Sequence, residues 1–379
     1  MTFGGRAPAR PFLLLFQSIS AVSARTYFFV IPEATRPIGG VNVAIQMASY
    51  LRNAGYDCHM LHATAQFSYQ YFRSNVPFSY LPELKQVLKP EALRKRLRSL
   101  LKNPSLLVRL PSHTGRANIR PQDVIIAPEY LCSEIVRAFP GNPVVILVQG
   151  MMPLAIANGR EFRRGAETAL KNVAAIVATS QATAEAAEML TGRYCHRVTL
   201  CVGEHSQGFS RQKKLQIAYM PRKRPEQIRF VLDCLRSAPE LTGVNFVPID
   251  GVGPNRVDEI LRESLIFLNF PDLEGFGLPG AEAMLAGCIV VGYHGVGGAE
   301  YFDSDSGIPV PESDMVAFVR QVRSLVLDYR TDPIPLDRLR EAASRRIAES
   351  YSQTVFEKSL RSVWAEIDAG LQSAAPANK

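Results

Sequence analysis

The chain contains 379 residues, which exceeds the size at which one hydrophobic core usually stops growing, so two domains are expected. Its apolar fraction of 47% and charged fraction of 21% are those of ordinary globular proteins, which excludes a chain too polar to bury a core. Lysine and arginine outnumber aspartate and glutamate by 43 to 35, and the net charge of +8 suits anionic partners such as phosphates or an anionic membrane surface.

The six cysteines are widely scattered and form no CxxC pair, so the sequence indicates neither a disulfide framework nor a zinc site. Cys195, His196, Cys201 and His205 lie close together along the chain, but their spacing fits no standard zinc pattern. We therefore expect reduced thiols and no bound metal.

The N-terminus imitates a signal peptide, because two arginines precede an apolar run at residues 12–16. Polar Gln17 and Ser18 interrupt the apolar run, and the next segment begins a candidate phosphate site of the kind found in cytoplasmic proteins. We expect residues 1–25 to form an extension of a cytoplasmic protein, and no other segment is long and apolar enough to span a bilayer.

From residue 26 onward, short β-rich runs alternate with amphipathic helical runs, which is typical of an α/β domain with a parallel sheet flanked by helices. Predicted helices cover residues 40–53 and 181–190, the second of them capped by Thr179-Ser180. The predicted strands of this array are Thr26–Ile31, Asp57–Leu61, Val124–Ala127, Val144–Val148 and Ala175–Ala178. Together these elements predict one doubly wound domain over residues 26–205.

Polar, glycine-containing sequence from residue 203 to 214 interrupts the β–α rhythm, which starts again with a strand at Gln216–Met220. We place the interdomain linker there and predict a second βα domain over residues 206–350. A final helix over residues 351–371 carries an apolar stripe and must pack against something large, whereas residues 372–379 are predicted to be disordered. The stripe consists of Val355, Phe356, Leu360, Val363, Trp364 and Ile367.

An insertion at about residues 90–120 contains a short helix with an apolar stripe and a strongly basic remainder. The stripe is Leu93, Leu97, Leu100 and Leu101, and the basic residues are Arg94, Lys95, Arg96, Arg98 and Lys102. Such a helix could lie on an anionic membrane, or it could pack against the core with its basic face in solvent.

The densest functional signal lies between residues 271 and 284, where a predicted strand, Ser264–Phe270, leads into a glycine-containing turn. A helix opens near Leu278, with proline in its tolerated first turn. The backbone N–H groups and the positive end of the helix dipole suit a diphosphate or the polar edge of a sugar. Glu274 and Glu282 flank the turn, and carboxylates accept paired hydrogen bonds from vicinal hydroxyls.

Two carboxylates separated by seven residues around Gly-Phe-Gly-Leu-Pro resemble the donor-site motif of retaining glycosyltransferases with the GT-B fold, of the group 1 or family 4-like kind. The strand Cys288–Gly292 and the following residues 297–300 resemble the next segment of that family. The resemblance implies two Rossmann-like doubly wound domains that face a cleft, the first on the acceptor side, and a C-terminal helix that crosses back to the first domain. It also implies that the sugar is held by Glu274, Gly275, Phe276, Gly277 and Leu278, and the nucleotide ribose by Glu282.

Two segments of the first domain match the family in order along the chain. Gly39 and Gly40 open the first helix, where they could form a plain loop or allow close backbone approach to a phosphate or acceptor; they match the family's glycine-rich loop that reaches across the cleft. After the strand Val144–Val148 many relatives carry a donor-binding histidine, whereas this chain has Gln149, which can hydrogen-bond but cannot ionise.

Three consecutive cations, Arg222, Lys223 and Arg224, follow the strand that opens the second domain. Ligands bind at the carboxyl ends of strands in open α/β sheets, so this cluster suits a diphosphate leaving group, although it could also be a surface basic cluster. We expect Glu274, Arg222 and Lys223 to be the catalytic residues.

The resemblance implies transfer of a sugar from a nucleotide-sugar donor to a glycan or lipid-linked acceptor, with retention of anomeric configuration. The segments assigned to the donor contain no Asp-x-Asp triplet of the sort that binds a divalent ion beside a nucleotide sugar, so we expect no metal dependence, and we expect no cofactor and no nucleic-acid partner. The predicted location is cytoplasmic, with peripheral contact at the inner face of the membrane through the basic insertion.

Two other classes of protein share part of this pattern. A nicotinamide-dependent oxidoreductase is disfavoured, because no spaced glycine fingerprint follows Gly39 and Gly40 and no acidic residue ends the second strand. A non-catalytic protein that binds a nucleotide sugar or carbohydrate would use the same residues without turnover and stays open.

Overall fold

The computed structural model describes residues 25–373 except 35–37, five positions between 66 and 73, residues 89–113 and residue 205. The basic helix predicted in the insertion and residues 1–24 of the predicted extension lie outside the described residues, so the membrane contact assigned to that helix stays a prediction.

The N-terminal domain is built on an eight-stranded sheet with the strand order β4-β3-β2-β1-β5-β6-β7-β8, in which every pairing is parallel. Its strands are β1 (Thr26–Val30), β2 (Asp57–His62), β3 (Phe78–Tyr80), β4 (Thr114–Arg116), β5 (Val124–Pro128), β6 (Val144–Val148), β7 (Val173–Ala178) and β8 (His196–Arg197). The helices are α1 (Gly39–Asn53), α2 (Cys132–Ala138), α3 (Met151–Ala169) and α4 (Gln181–Thr191). The central strands β1, β5 and β6 are buried along their whole length, as expected for a parallel sheet covered on both faces.

The C-terminal domain is built on a five-stranded parallel sheet with the order β10-β9-β11-β12-β13. Its strands are β9 (Lys214–Tyr219), β10 (Asn245–Pro248), β11 (Ser264–Asn269), β12 (Ile289–Gly292) and β13 (Ile308–Pro309). The helices are α5 (Pro225–Arg236), α6 (Pro254–Glu263), α7 (Leu278–Leu285), α8 (Met315–Thr331), α9 (Ile334–Ser350) and α10 (Gln353–Ser373). Two parallel, helix-flanked sheets confirm the predicted fold class.

The chain passes between the two sheets twice, and the two crossings are hydrogen-bonded to each other. The first crossing follows β8 and the second lies between α9 and α10, where the Val202 amide donates to the Tyr351 carbonyl at 2.9 Å. We propose that the domain boundary lies between residues 205 and 206, within the polar stretch that separates β8 from β9.

Helix α10 packs against the N-terminal sheet, which confirms the predicted return of the C-terminal helix. The Trp364 ring stacks on Phe29 of β1 with ring centroids 6.0 Å apart, and the Tyr27 hydroxyl donates to the Asp368 carboxylate at 2.6 Å. The disorder predicted from residue 372 is wrong for residues 372 and 373, which complete α10; residues 374–379 lie outside the described part. The final turn is helical because Leu371 is buried and holds the helix end in place.

None of the helices in the described ranges is both long and apolar enough to cross a bilayer. All six cysteines carry free thiols.

Replacement of Trp364 by alanine tests the docking of α10. Because the indole is fully buried against β1, we expect Trp364→Ala to lower the free energy of unfolding by about 3–5 kcal/mol. Urea unfolding followed by circular dichroism measures this loss, and Ser362→Ala on the exposed side of α10 is the control. Equal midpoints for the two variants would contradict the packing role.

Candidate active site

The glycine-containing turn predicted to bind the donor, residues 270–277, connects the buried strand β11 to α7 and is called the donor turn below. Its backbone is fixed by the loop that follows β12. The Glu274 amide donates to the Gly295 carbonyl at 3.0 Å, and the Gly297 amide donates to the Glu274 carbonyl at 3.2 Å. These bonds form an isolated parallel bridge between Glu274 and Val296. The turn is therefore a rigid part of the carboxyl edge of the C-terminal sheet.

Gly277 precedes α7 in the left-handed backbone region, with a φ of 88°, which an L-residue with a side chain rarely adopts. Its carbonyl accepts a hydrogen bond from the Tyr301 hydroxyl at 2.5 Å. The Phe276 ring lies in the core, with its centroid 5.0 Å from those of both Tyr301 and Tyr351. The Phe276 side chain thus anchors the turn, while the backbone around it stays at the edge of the sheet.

The turn presses directly against the N-terminal domain at Gly275. A Cβ atom on Gly275 would lie 1.9 Å from the Gln149 carbonyl oxygen and 3.0 Å from the Thr183 side chain. The Gln149 amide group in turn donates to the Gly40 carbonyl at 3.0 Å, and a Cβ on Gly39 would lie 4.0 Å from the Leu278 side chain. The structure therefore brings the predicted residues of both domains to one place, where the carboxyl edges of the two sheets meet.

Lys223 forms an ion pair with the Glu274 carboxylate, which joins the predicted cationic cluster to the donor turn. The Lys223 side chain is 40% exposed and that of Glu274 is 23% exposed, so both groups remain accessible from the cleft. Burial and the neighbouring charge of Arg222 lower the pKa of Lys223. Arg222 itself is exposed to solvent.

Arg224 differs from its two neighbours because protein groups already surround its guanidinium, which is 13% exposed. It forms an ion pair with Glu312, lies 3.7 Å from an Asp272 carboxylate oxygen and stands over the Tyr293 ring at 5.0 Å from the centroid. The structure therefore separates the three consecutive cations: Lys223 and Arg222 face the donor turn or solvent, whereas Arg224 braces the start of α5.

Glu282 lies in the second turn of α7, half-buried beneath the donor turn. Burial, with a further contribution from Asp258, raises the pKa of its carboxyl group to about 7. Within the part of the chain that the structure describes, no hydrogen bond or ion pair engages this carboxylate. A half-buried carboxylate with free acceptor oxygens suits the two hydroxyl groups of a ribose.

Three residues near this site were given no role by the sequence analysis. Val296, opposite Glu274, has a φ of 70°, a strained conformation for a β-branched residue that costs about 1–3 kcal/mol. Glu129 is buried at the end of β5, where desolvation raises the pKa of its carboxyl group to about 7. Glu300, in the C-terminal domain, pairs with Arg197 of the N-terminal domain. In the sequence, only the glycines on either side of Val296 indicate special backbone geometry. Glu129 and Glu300 carry no such signal, because their environments are formed by residues distant along the chain.

No group of three or more His, Cys, Asp or Glu side chains in the described ranges could hold a metal ion.

Comparison with known proteins shows what the chain resembles. Residues 240–346 match the sequence profile of the family described as "Glycosyl transferases group 1". The chain is 28% identical over 157 residues to an alpha-1,6-glucosyltransferase of Actinobacillus pleuropneumoniae, across 40% of this chain and 47% of that protein. The alignment thus spans about half the length of this curated relative.

Two solved structures have a similar architecture over nearly the whole chain. Anabaena HepE in complex with UDP and glucose has a TM-score of 0.59 and 14% identity, over 90% of this chain and all of that one (100%). S. aureus TarM has a TM-score of 0.60 and 10% identity, over 91% of this chain and 99% of that one. At such identities the likeness establishes the fold alone.

The architecture is therefore that of the GT-B proteins, in which two Rossmann-like domains meet along the carboxyl edges of their sheets. The profile match and the curated relative confirm the predicted resemblance to group 1 glycosyltransferases, with the matched residues 240–346 running from the approach to β10 into α9. The donor turn lies inside that matched range.

Replacement of Gly275 by alanine tests the contact between the domains. The added methyl would meet the Gln149 backbone, which cannot rotate away, so we expect the two domains to separate or the turn to shift, at a cost of about 1–3 kcal/mol. Small-angle X-ray scattering should show a larger radius of gyration, and thermal unfolding a lower midpoint. Gly141→Ala, which adds its methyl in open space, is the matched control. Identical scattering and midpoints for all three proteins would refute the close contact.

The raised pKa of Glu282 predicts that the stability of the protein depends on pH. Because the folded-state pKa lies above the unfolded value, the protonated group favours the fold, and this contribution is lost as the pH rises through about 7. Glu282→Gln should therefore be more stable than wild type above pH 7, by on the order of 2–3 kcal/mol, and the difference should shrink towards pH 4.5.

Chemical denaturation at several pH values measures this difference. Glu226→Gln, an exposed carboxylate in the first turn of α5, is the control, for which we expect no such trend. A stability difference for Glu282→Gln that stays constant between pH 5 and pH 8 would count against the raised pKa.

Proposed function

We propose that this chain is a glycosyltransferase that moves a sugar from a nucleotide-sugar donor to a glycan or lipid-linked acceptor. The observation that carries the proposal is the placement of Glu274 and Glu282 on either side of one rigid glycine turn, where the two sheets meet. The family profile over residues 240–346 and the glucosyltransferase relative support it. The UDP and glucose bound to HepE favour a donor of the same chemical class.

In this proposal the donor lies across the start of α7. The ribose hydroxyls donate to Glu282, whose carboxylate has no protein partner in the described structure. The diphosphate is bound by Lys223, the exposed guanidinium of Arg222 and the amides at the start of α7. Arg224 supports this arrangement from behind rather than as a phosphate ligand, since Glu312 and Asp272 already occupy it.

When the donor binds, Lys223 and Glu274 can each exchange the other for a group of the donor. Each group neutralises the other, so neither charge is left unpaired beside the turn. A donor that binds there supplies diphosphate oxygens for Lys223 and sugar hydroxyls for Glu274, so both charged groups keep a partner. We therefore propose that donor binding breaks this pair and that diphosphate release restores it.

The proposed reaction proceeds with retention of anomeric configuration and without a metal ion. The bond between the anomeric carbon and the diphosphate oxygen breaks, with the developing negative charge held by Arg222 and Lys223. An acceptor hydroxyl oxygen bonds to the anomeric carbon from the same face, and its proton passes to the leaving phosphate oxygen. Glu274 stays ionised and stabilises the oxocarbenium-like centre through the sugar hydroxyls.

A calorimetric and thermal-shift screen against UDP, GDP, dTDP and NAD, with and without EDTA, tests this proposal. We expect saturable binding of one nucleoside diphosphate, unaffected by EDTA and weakened about tenfold or more in Glu282→Ala and Arg222→Ala, as for the loss of a charged hydrogen-bonding partner. Arg229→Ala, an exposed arginine on α5, is the control.

The possible outcomes separate the competing functions. Binding of NAD alone, or of none of the four, would refute the proposal. Binding that EDTA abolishes would refute metal independence. Nucleotide binding without sugar transfer to any acceptor tested would indicate a non-catalytic binding protein of the same fold.

A further inference from the structure

The Glu300 carboxylate of the C-terminal domain bonds to groups outside that domain. Its Oε2 atom accepts a hydrogen bond from the Gln181 amide at 3.0 Å. Its Oε1 atom lies 3.2 Å from the Arg197 guanidinium and also accepts from the Tyr351 hydroxyl at 3.2 Å. Three donors thus converge on one side chain that is only 15% exposed.

Glu300 belongs to the C-terminal domain, whereas its three donors belong to the N-terminal domain and to the hinge formed by the two chain crossings. Gln181 opens α4 and Arg197 ends β8, so both belong to the N-terminal domain. Tyr351 lies in the second chain crossing, and its carbonyl accepts the Val202 amide of the first crossing at 2.9 Å. A rotation about these crossings would separate Glu300 from Gln181 and Arg197 while Tyr351 stays beside it.

The start of α4 is suited to a carboxylate from the other domain. Ser180 caps the helix by accepting from the Thr183 amide at 3.2 Å, which leaves the Gln181 amide without a partner in its own helix. Glu300 supplies that partner and places a negative charge at the positive end of the helix dipole. Arg197 adds a second positive group on the same surface.

The backbone of Glu300 is tied to the donor turn. Glu300 ends the short 3-10 helix Gly297–Glu300, and the Gly297 amide donates to the Glu274 carbonyl. Arg346 fixes the other end, because it donates to the Glu300 carbonyl at 3.2 Å and pairs with Asp303 at 2.7 Å. The Glu300 side chain is therefore connected, through three residues of backbone, to the segment that supports Glu274.

We propose that Glu300 is a positioning residue, an interdomain clasp that binds the start of α4 and Arg197 and so holds the donor turn against Gln149. Its effect on turnover rests on the proposed function, but its effect on domain closure does not. The clasp consists of a few charge-assisted hydrogen bonds at a partly exposed edge, with Arg197 at 38% exposure, so it can open and close reversibly.

Small-angle X-ray scattering of Glu300→Gln, Arg197→Gln and the double variant tests the clasp without reference to activity. Glutamine keeps an acceptor oxygen but removes the charge, so the protein stays folded while the open form gains population. We expect a larger radius of gyration in each single variant and little further change in the double variant, because both substitutions break the same contact. The control Arg211→Gln removes an ion pair of the same 3.2 Å length within the C-terminal domain, to Glu341, and should scatter as wild type.

Binding of UDP and UDP-glucose to the same variants tests the consequence for the site. We expect Glu300→Gln to weaken UDP-glucose about tenfold, the loss of one charge-assisted hydrogen bond from the closed form, while UDP affinity changes much less. Scattering identical to wild type in both single variants would overturn the clasp even if UDP binds normally. If the variants open the domains but the wild-type protein binds no nucleotide, the clasp is supported and the proposed function is refuted.

Discussion

The structure depends on one close backbone contact, the approach of Gly275 to the Gln149 carbonyl. Any side chain at position 275 would overlap that oxygen, with the added carbon only 1.9 Å away, so only glycine lets the two sheet edges meet at this distance. The surrounding features hold this contact in place: the bridge between Glu274 and Val296 fixes the turn, and Gln149 is bonded to Gly40 behind it. The candidate site exists only where these two edges meet.

Electrostatics then divide the roles of neighbouring residues. Arg222, Lys223 and Arg224 are consecutive, yet one is exposed, one is paired with Glu274, and one is enclosed by Glu312 and an aromatic ring. Arg224 also differs in its backbone, which lies in the left-handed region at the start of α5 with a φ of 50°. A basic cluster read as one unit in the sequence is therefore three different environments.

Structural features that are determined by neighbouring residues were predictable from the sequence, whereas features determined by contacts distant along the chain were not. Strands such as β1, β6 and β11 are runs of five or six residues dominated by aliphatic and aromatic side chains, and glycine and proline mark the donor turn, so both were predictable from neighbouring residues. The two- and three-residue strands β3, β4, β8 and β13 were not, because pairing near a sheet edge defines them rather than composition. The contacts of Glu300 with Gln181 and Arg197 span 119 and 103 residues, beyond any local pattern.

The contact that brings the domains together is also of a kind that can be broken. Gly275 and Gln149 approach each other closely through backbone atoms, and Glu300 adds hydrogen bonds at a partly exposed edge. Backbone and charged contacts lose most of their net value to competing water, whereas apolar burial does not. Helix α10, with Trp364 in the core, supplies the permanent attachment between the domains. The molecule thus joins its domains firmly at the hinge and weakly at the cleft, as expected of a site that must admit and release a large polar ligand.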